Sequence, residues 1–174
     1  MITEGIDATK LFVSLDETWT ELTTALNAAN ETFTNTIPFK DSWTIAQLAT
    51  HVTKSNKAIA QGLQMEGSAC ERDPGGKVAE LKKIFLDFTV KFQSPEFIVP
   101  EQKDYNKVSV IEALEKSIAQ LKEESVLINL SEIISLPVFG EITKLELLYF
   151  VLYHTKRHNH QLKNILKELQ SDTN

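Results

Sequence analysis

His154 and His158 stand four residues apart in the run His154-Thr155-Lys156-Arg157-His158. On a helix that spacing turns both imidazoles to one face, where they can share a metal ion. Four histidines allow six pairings, so one such pair needs no function, and a partly exposed pair on a surface helix is the alternative. The neighbourhood distinguishes it. Leu147, Val151, His154, His158, Leu162 and Ile165 follow at steps of three or four, which sets the two histidines within an apolar, core-facing stripe. His51 has the same setting upstream, among Leu48, Val52, Ser55, Ile59 and Leu63. An imidazole turned inward needs a partner. Three nitrogen ligands with one position left for water or substrate make a catalytic zinc-type site, and His51, His154 and His158 would supply such a set. A structural bundle in which hydrogen bonds satisfy the histidines is the competing reading.

Neutral imidazoles suit zinc, nickel, copper, iron or cobalt, whereas magnesium and calcium prefer oxygen ligands. Three neutral ligands leave the ion its full charge, which can lower the pKa of a bound water or thiol or polarise a carbonyl. Hydrolysis and thiol transfer both fit, with the catalytic group a metal-bound water or thiolate. No side chain is assigned as general base. Glu141 and Glu146 lie too far ahead of the ligands, and His160, two residues past His158, points elsewhere and reads as a surface residue. Arg157 is expected to face solvent or a neighbouring helix, as are Thr155 and Gln161 to face a neighbouring helix.

The stretches Trp43-Thr44-Ile45-Ala46-Gln47-Leu48-Ala49-Thr50-His51 and His154-Thr155-Lys156-Arg157-His158-Asn159-His160-Gln161 resemble the DinB-like (DinB/YfiT-like) family of four-helix-bundle proteins. In that family one histidine on the second helix and an H-x-x-x-H pair on the last form a metal triad. The resemblance spans nearly the whole chain in length and helix order, and all three ligand positions are filled. It implies a bacterial, metal-dependent enzyme, with zinc or nickel at His51, His154 and His158, that transfers a low-molecular-weight thiol to a small electrophilic substrate or hydrolyses it. The alternative is a non-catalytic, stress-related bundle protein that binds a metal or small molecule.

The elements that must position these residues are legible in the apolar spacing. A first helix between Asp7 and Asn30 carries the seam Leu15, Trp19, Leu22, Leu26, Ala29 and Phe33. Ser14 with Glu17 is a candidate capping box for it, although the pattern extends back through Leu11. The second helix starts at Thr44, capped with Gln47 and stapled by Trp43 on Leu48, and runs to about Gly62. That assignment explains Trp43 structurally, with substrate stacking the weaker reading. Gly67 to Gly76 reads as a loop. A further helix from about Lys77 to Phe92 shows the stripe Val78, Leu81, Phe85, Phe88 and Phe92, read as core, and fills the place of the family's variable insertion. Ser109 with Glu112 opens the next helix, with Ile111, Leu114, Ile118, Leu121 and Ile128 inward. Thr143 with Glu146 caps the histidine helix, Leu145 to Leu169. The runs Phe97 to Val99 and Ile133 to Val138 lack alternating partners. The expectation is one all-α domain over residues 1–174: a four-helix bundle with an additional helix between the second and third main helices, and no substantial sheet.

Bulk properties narrow the partners. A chain of 174 residues with 42% hydrophobic content folds without staples. Cys70 is the only cysteine, so no intramolecular disulfide forms. A net charge of -6 argues against nucleic-acid binding, which normally shows a basic stripe. Lys156, Arg157, Lys163 and Lys167 make the last helix locally basic, read as a solvated face rather than an anion-attracting rim. The apolar run Leu145 to Tyr153 is too short for a bilayer, and no signal-peptide pattern opens the chain, so the expectation is a cytoplasmic protein without membrane contact. Tyr149, Phe150 and Tyr153 lie to the side of the ligand stripe, where they either support a homodimer or fill the core.

Overall fold

In the computed structural model, residues 8–171 are described. Asp7, the earliest start considered for the first helix, lies outside them. Four long helices, α1 (Ala8–Ala28), α2 (Ile45–Gln64), α4 (Lys107–Val126) and α5 (Lys144–Ser171), form the bundle, and the short α3 (Val78–Phe85) is inserted between α2 and α4. Helix α5 packs on α1, α2 and α3, while α4 packs on α2 and α1. The two helices that carry the histidines are therefore neighbours along one edge of the bundle. No helix among the described residues is long and apolar enough to cross a membrane.

The apolar seams become the core. Leu15, Trp19, Leu22 and Leu26 of α1 meet Leu48, Val52, Ile59 and Leu63 of α2, Leu114 and Leu121 of α4, and Leu147, Val151, Leu162 and Ile165 of α5. Local chemistry fixes the two ligand helices at their starts. At α2 the Gln47 amide donates to Thr44 Oγ1 (3.2 Å) while the Thr44 amide donates to Gln47 Oε1 (3.0 Å), a reciprocal cap that satisfies two otherwise orphaned groups. At α5 the Glu146 amide donates to Thr143 Oγ1 (3.1 Å) and the Thr143 amide to Glu146 Oε2 (2.9 Å).

Four local expectations need correction. Ser14 lies inside α1, where its carbonyl accepts from Thr18 Oγ1 (2.7 Å), so the Ser14–Glu17 pair caps nothing. Asn106 rather than Ser109 caps α4: its Oδ1 accepts from the Ser109 amide at 3.0 Å. The run Ile133 to Val138 does find a partner. Strands β1 (Ile133–Leu136) and β2 (Gly140–Thr143) pair antiparallel, with Ile134 opposite Ile142 and both buried. Gly140, at φ 63°, takes the left-handed conformation that glycine adopts without strain and returns the chain. The hairpin adds a small two-stranded sheet to the helical bundle, its second strand hidden in the four residues just before α5, the last of which is the Thr143 cap.

The fourth correction bears on the site. Helix α3 stops at Phe85 instead of reaching Phe92, and only Leu81 of its stripe is fully buried. Phe88 and Phe92 lie beyond its end at 45% and 48% exposure, so they are not core.

Candidate metal centre

The bundle brings the three expected ligands together. His51, His154 and His158 are 2%, 7% and 6% exposed. His154 Nε2 lies 3.1 Å from His51 Nε2 and 3.1 Å from His158 Nε2, and the three ligand nitrogens all fall within 4.8 Å of one another. Two nitrogens about 2.0–2.1 Å from one ion and separated by roughly 100° would show that 3.1 Å spacing.

The other ring nitrogens set the tautomers. His51 Nδ1 donates to the Ile98 carbonyl (3.0 Å), which can only accept. His158 Nδ1 donates to Gln161 Oε1 (2.9 Å). With the proton on Nδ1 in both rings, both Nε2 atoms carry lone pairs and aim them at His154. Burial keeps the set neutral. It is the largest influence on each ring, lowering His51, pushing His154 far below the ordinary range, where the neighbouring imidazoles and Arg157 add to it, and taking His158 to about 3. A neutral His154 has at most one proton for Nε2. At least one of its two contacts therefore cannot be a hydrogen bond, and at least one buried Nε2 lone pair is left without a donor. Three converging buried imidazole nitrogens that cannot all satisfy one another by hydrogen bonds are a poor arrangement for a structural core and a good one for a cation, so the donor set fits a divalent transition metal.

Two consequences can be measured. Gln161→Leu removes the acceptor that orients His158, and zinc affinity in a chelator-competition titration is expected to fall about 10–100-fold. The second concerns pH. The unfolded chain protonates its histidines near 6.5, while the folded one resists down to about 3 at His158. The unfolded state thus binds more protons between those values, and metal-free protein should lose stability as pH falls from 6.5, by about 1 kcal/mol per pH unit from His158, with His51 and His154 acting in the same direction. Urea unfolding of chelated protein at pH 7 and pH 5 reads that slope.

The histidines sit at the base of a cavity of about 670 Å³. Trp43 and Phe150 form its inner wall, with ring centroids 4.7 Å from His51 and 5.0 Å from His154. Trp43 is thus a wall of the site as well as the residue preceding the α2 cap. Phe150 and Tyr153 are buried within the chain, and Phe150 faces the ligands rather than away from them. His160 is exposed, as expected, and stacks on Phe88 at 4.0 Å with the rings 5° from parallel. Arg157 is half-buried and turns to the end of the neighbouring helix α3 and the stretch that follows it. It donates to the carbonyls of Phe85 (3.3 Å), Asp87 (2.8 Å) and Val90, with its guanidinium 4.7 Å from the Phe92 ring centroid. Its contacts tie the inserted segment over the site. Of the lysines beside it, Lys163 pairs with Glu21 at 2.6 Å.

Sequence reasoning left the partners of the ligands unassigned. Gln161 carried a usable signal, three residues after His158 and hence on the same helix face. Ile98 carried none, because its contribution is a main-chain carbonyl 47 residues from His51.

A four-helix bundle with a three-histidine cluster between its second and last helices defines the class of protein. The profile of the DinB superfamily matches residues 14–162, and the chain belongs to that superfamily. Among individual proteins it is similar to the uncharacterized protein YuaE of Bacillus subtilis (strain 168), at 26% identity over 165 residues, covering 88% of this chain and 93% of that one. It also resembles the crystal structure of TT2238, a four-helix bundle protein, with a TM-score of 0.58 and 18% identity over 90% of this chain and 98% of the other, a likeness of fold. Superfamily membership and the buried three-histidine group together are compatible with a metal-binding protein.

Proposed function

We propose that the protein is a metal-dependent enzyme that joins a low-molecular-weight thiol to a small electrophile, or hydrolyses that electrophile, with His51, His154 and His158 holding zinc or nickel. The observation that carries this reading is the convergence of three neutral Nε2 atoms at the base of an accessible cavity. A divalent ion held there supplies a Lewis acid able to bring a thiol or water toward its anion near neutral pH. The chain supplies the rest. The Ile98 carbonyl and Gln161 hold two imidazoles in the tautomer that ligates. Trp43, Phe85 and Phe150 exclude water from the ligand side and strengthen electrostatic interactions there. In thiol transfer the sulfur forms a bond to the electrophilic carbon, the bond to the leaving group breaks, and the thiol proton passes to solvent.

The test is consumption of 1-chloro-2,4-dinitrobenzene with a low-molecular-weight thiol, followed as chloride release. Zinc- or nickel-loaded protein should accelerate it, and the metal-free protein and His154→Ala should not. Equal rates in all three would leave the alternative, a binding protein without turnover. A cytoplasmic homodimer belongs to the same proposal. Sedimentation velocity at micromolar concentration would show a species of two chains, or a single chain if the dimer is wrong.

A further inference from the structure

The wall of the cavity differs in character from its base. Of fourteen large hydrophobic side chains that stand exposed among the described residues, seven line this one cavity: Phe39, Ile84, Phe88, Val90, Phe92, Phe97 and Val138. Scattered exposed apolar residues are ordinary, but a cluster around the mouth of a concave site marks a surface that binds. Four of these side chains come from the stretch that follows Phe85, where α3 ends early and the chain turns across the ligands.

Charge is scarce on the same wall. Its charged residues are Asp41, Lys91 and Arg157. Asp41 and Lys91 are exposed and of opposite sign, and Arg157 already donates to three carbonyls. The Arg157 donors are directed at main-chain carbonyls rather than at the cavity, so a strong attraction for an anionic group would come from a metal held at the histidines. The cavity, at about 670 Å³, falls in the range that holds ligands of drug size and is far larger than a water or a two-carbon thiol needs.

We propose that this site selects a bulky, uncharged electrophile with an aromatic or branched apolar body, seated against Phe88, Phe92 and Phe97 with its reactive end at the three histidines. Specificity then resides in the inserted segment, and the histidine base is indifferent to the body it is offered. The inference concerning the reactive end rests on the proposed metal site; the inference concerning the apolar wall does not.

Two measurements separate these parts. With zinc-loaded protein, affinities are measured by calorimetry for a series sharing one metal-binding head: acetohydroxamic acid, benzohydroxamic acid, 2-naphthohydroxamic acid, and succinic acid monohydroxamate, whose body is anionic. Affinity should rise about 50-fold from the methyl to the naphthyl compound, as burial of about 100 Å² of apolar surface implies, with no gain for the succinate. The double variant Phe92→Ser/Phe97→Ser should compress that span below 10-fold. Because both side chains are about half exposed or more, the fold should survive the change. With metal-free protein, the neutral probe 4-biphenylmethanol should shift the indole resonance of Trp43, and the double variant should reduce that shift at equal probe concentration. A flat series together with an unmoved indole overturns the apolar wall. A flat series with a responsive indole overturns the seating of the reactive end at the histidines, and points to failure of the metal reading rather than of the wall. A succinate compound that binds as tightly as the naphthyl one overturns the selection for uncharged bodies.

Discussion

His154→Ala should abolish tight transition-metal binding, with zinc affinity in a competition titration falling by well over the roughly 100-fold that loss of an outer hydrogen-bond partner can cost. The effect is large because His154 is the shared vertex of the cluster. Both short nitrogen contacts, to His51 and to His158, end on its Nε2. Without it the two remaining imidazoles still point inward in the correct tautomer, held by Ile98 and Gln161, but two neutral nitrogens fall short of the three fixed ligands that such an open site needs. The comparison variant is His160→Ala. That ring is exposed and stacked on Phe88, so its loss should leave zinc affinity within a few-fold of wild type. Equal losses in the two variants would mean that metal binds through surface histidines.

The largest effect on stability should come from Glu146→Ala, which is expected to cost about 3 kcal/mol, chiefly from the two amides left without an acceptor, and to lower the melting temperature by roughly 10 °C. Glu146 has no exposed side-chain surface, yet its carboxylate accepts four hydrogen bonds: from Arg72 Nη1 (2.6 Å) and Nη2 (2.7 Å), from the Lys77 amide (2.8 Å) and from the Thr143 amide (2.9 Å). A buried charge is tolerated only when it is so fully paired. The alanine variant strips the acceptor from two backbone amides and leaves a guanidinium without its partner. It also unfastens three segments at once: the loop before α3, the start of α3, and the hairpin-to-α5 junction that sets the register of the ligand helix. Burial raises the carboxyl pKa, but Arg72 and the two amides outweigh it and leave Glu146 below its ordinary value. A depressed carboxyl contributes stability above about 4.5 and loses it as pH falls through the folded value. The gap between wild type and variant should therefore narrow in acid, as thermal melts at pH 7 and pH 3.5 would show.

Much of this architecture was legible from spacing. The seams of Leu22, Leu48, Leu114 and Leu147 read as helix faces because a 3.6-residue period needs no tertiary information. Thr44 with Gln47 and Thr143 with Glu146 read as caps because the interaction spans three residues. What spacing could not show was any choice made by tertiary contact. Ser14–Glu17 has the composition of a cap and lies within a helix, because Leu11 already belongs to the core. The Phe85, Phe88, Phe92 stripe has helical period, yet α3 ends at Phe85, and Arg157 from α5 takes up the carbonyls of Phe85, Asp87 and Val90. Glu146 was readable as a cap but not as the partner of Arg72, 74 residues away. The three histidines were recoverable because each interrupts an apolar stripe. Trp43 and Phe150 were harder to place, since an aromatic residue beside a ligand and one filling a core look alike in sequence.

The measurement that bears most directly on the metal centre is elemental analysis of untagged protein purified without chelators, beside His51→Ala and His158→Ala. Close to one transition-metal ion per chain in wild type, absent from both variants, is the predicted result. Wild-type protein that holds no stoichiometric metal even after incubation with zinc and nickel salts would contradict it, and would make the cluster of three buried imidazoles a feature of packing alone.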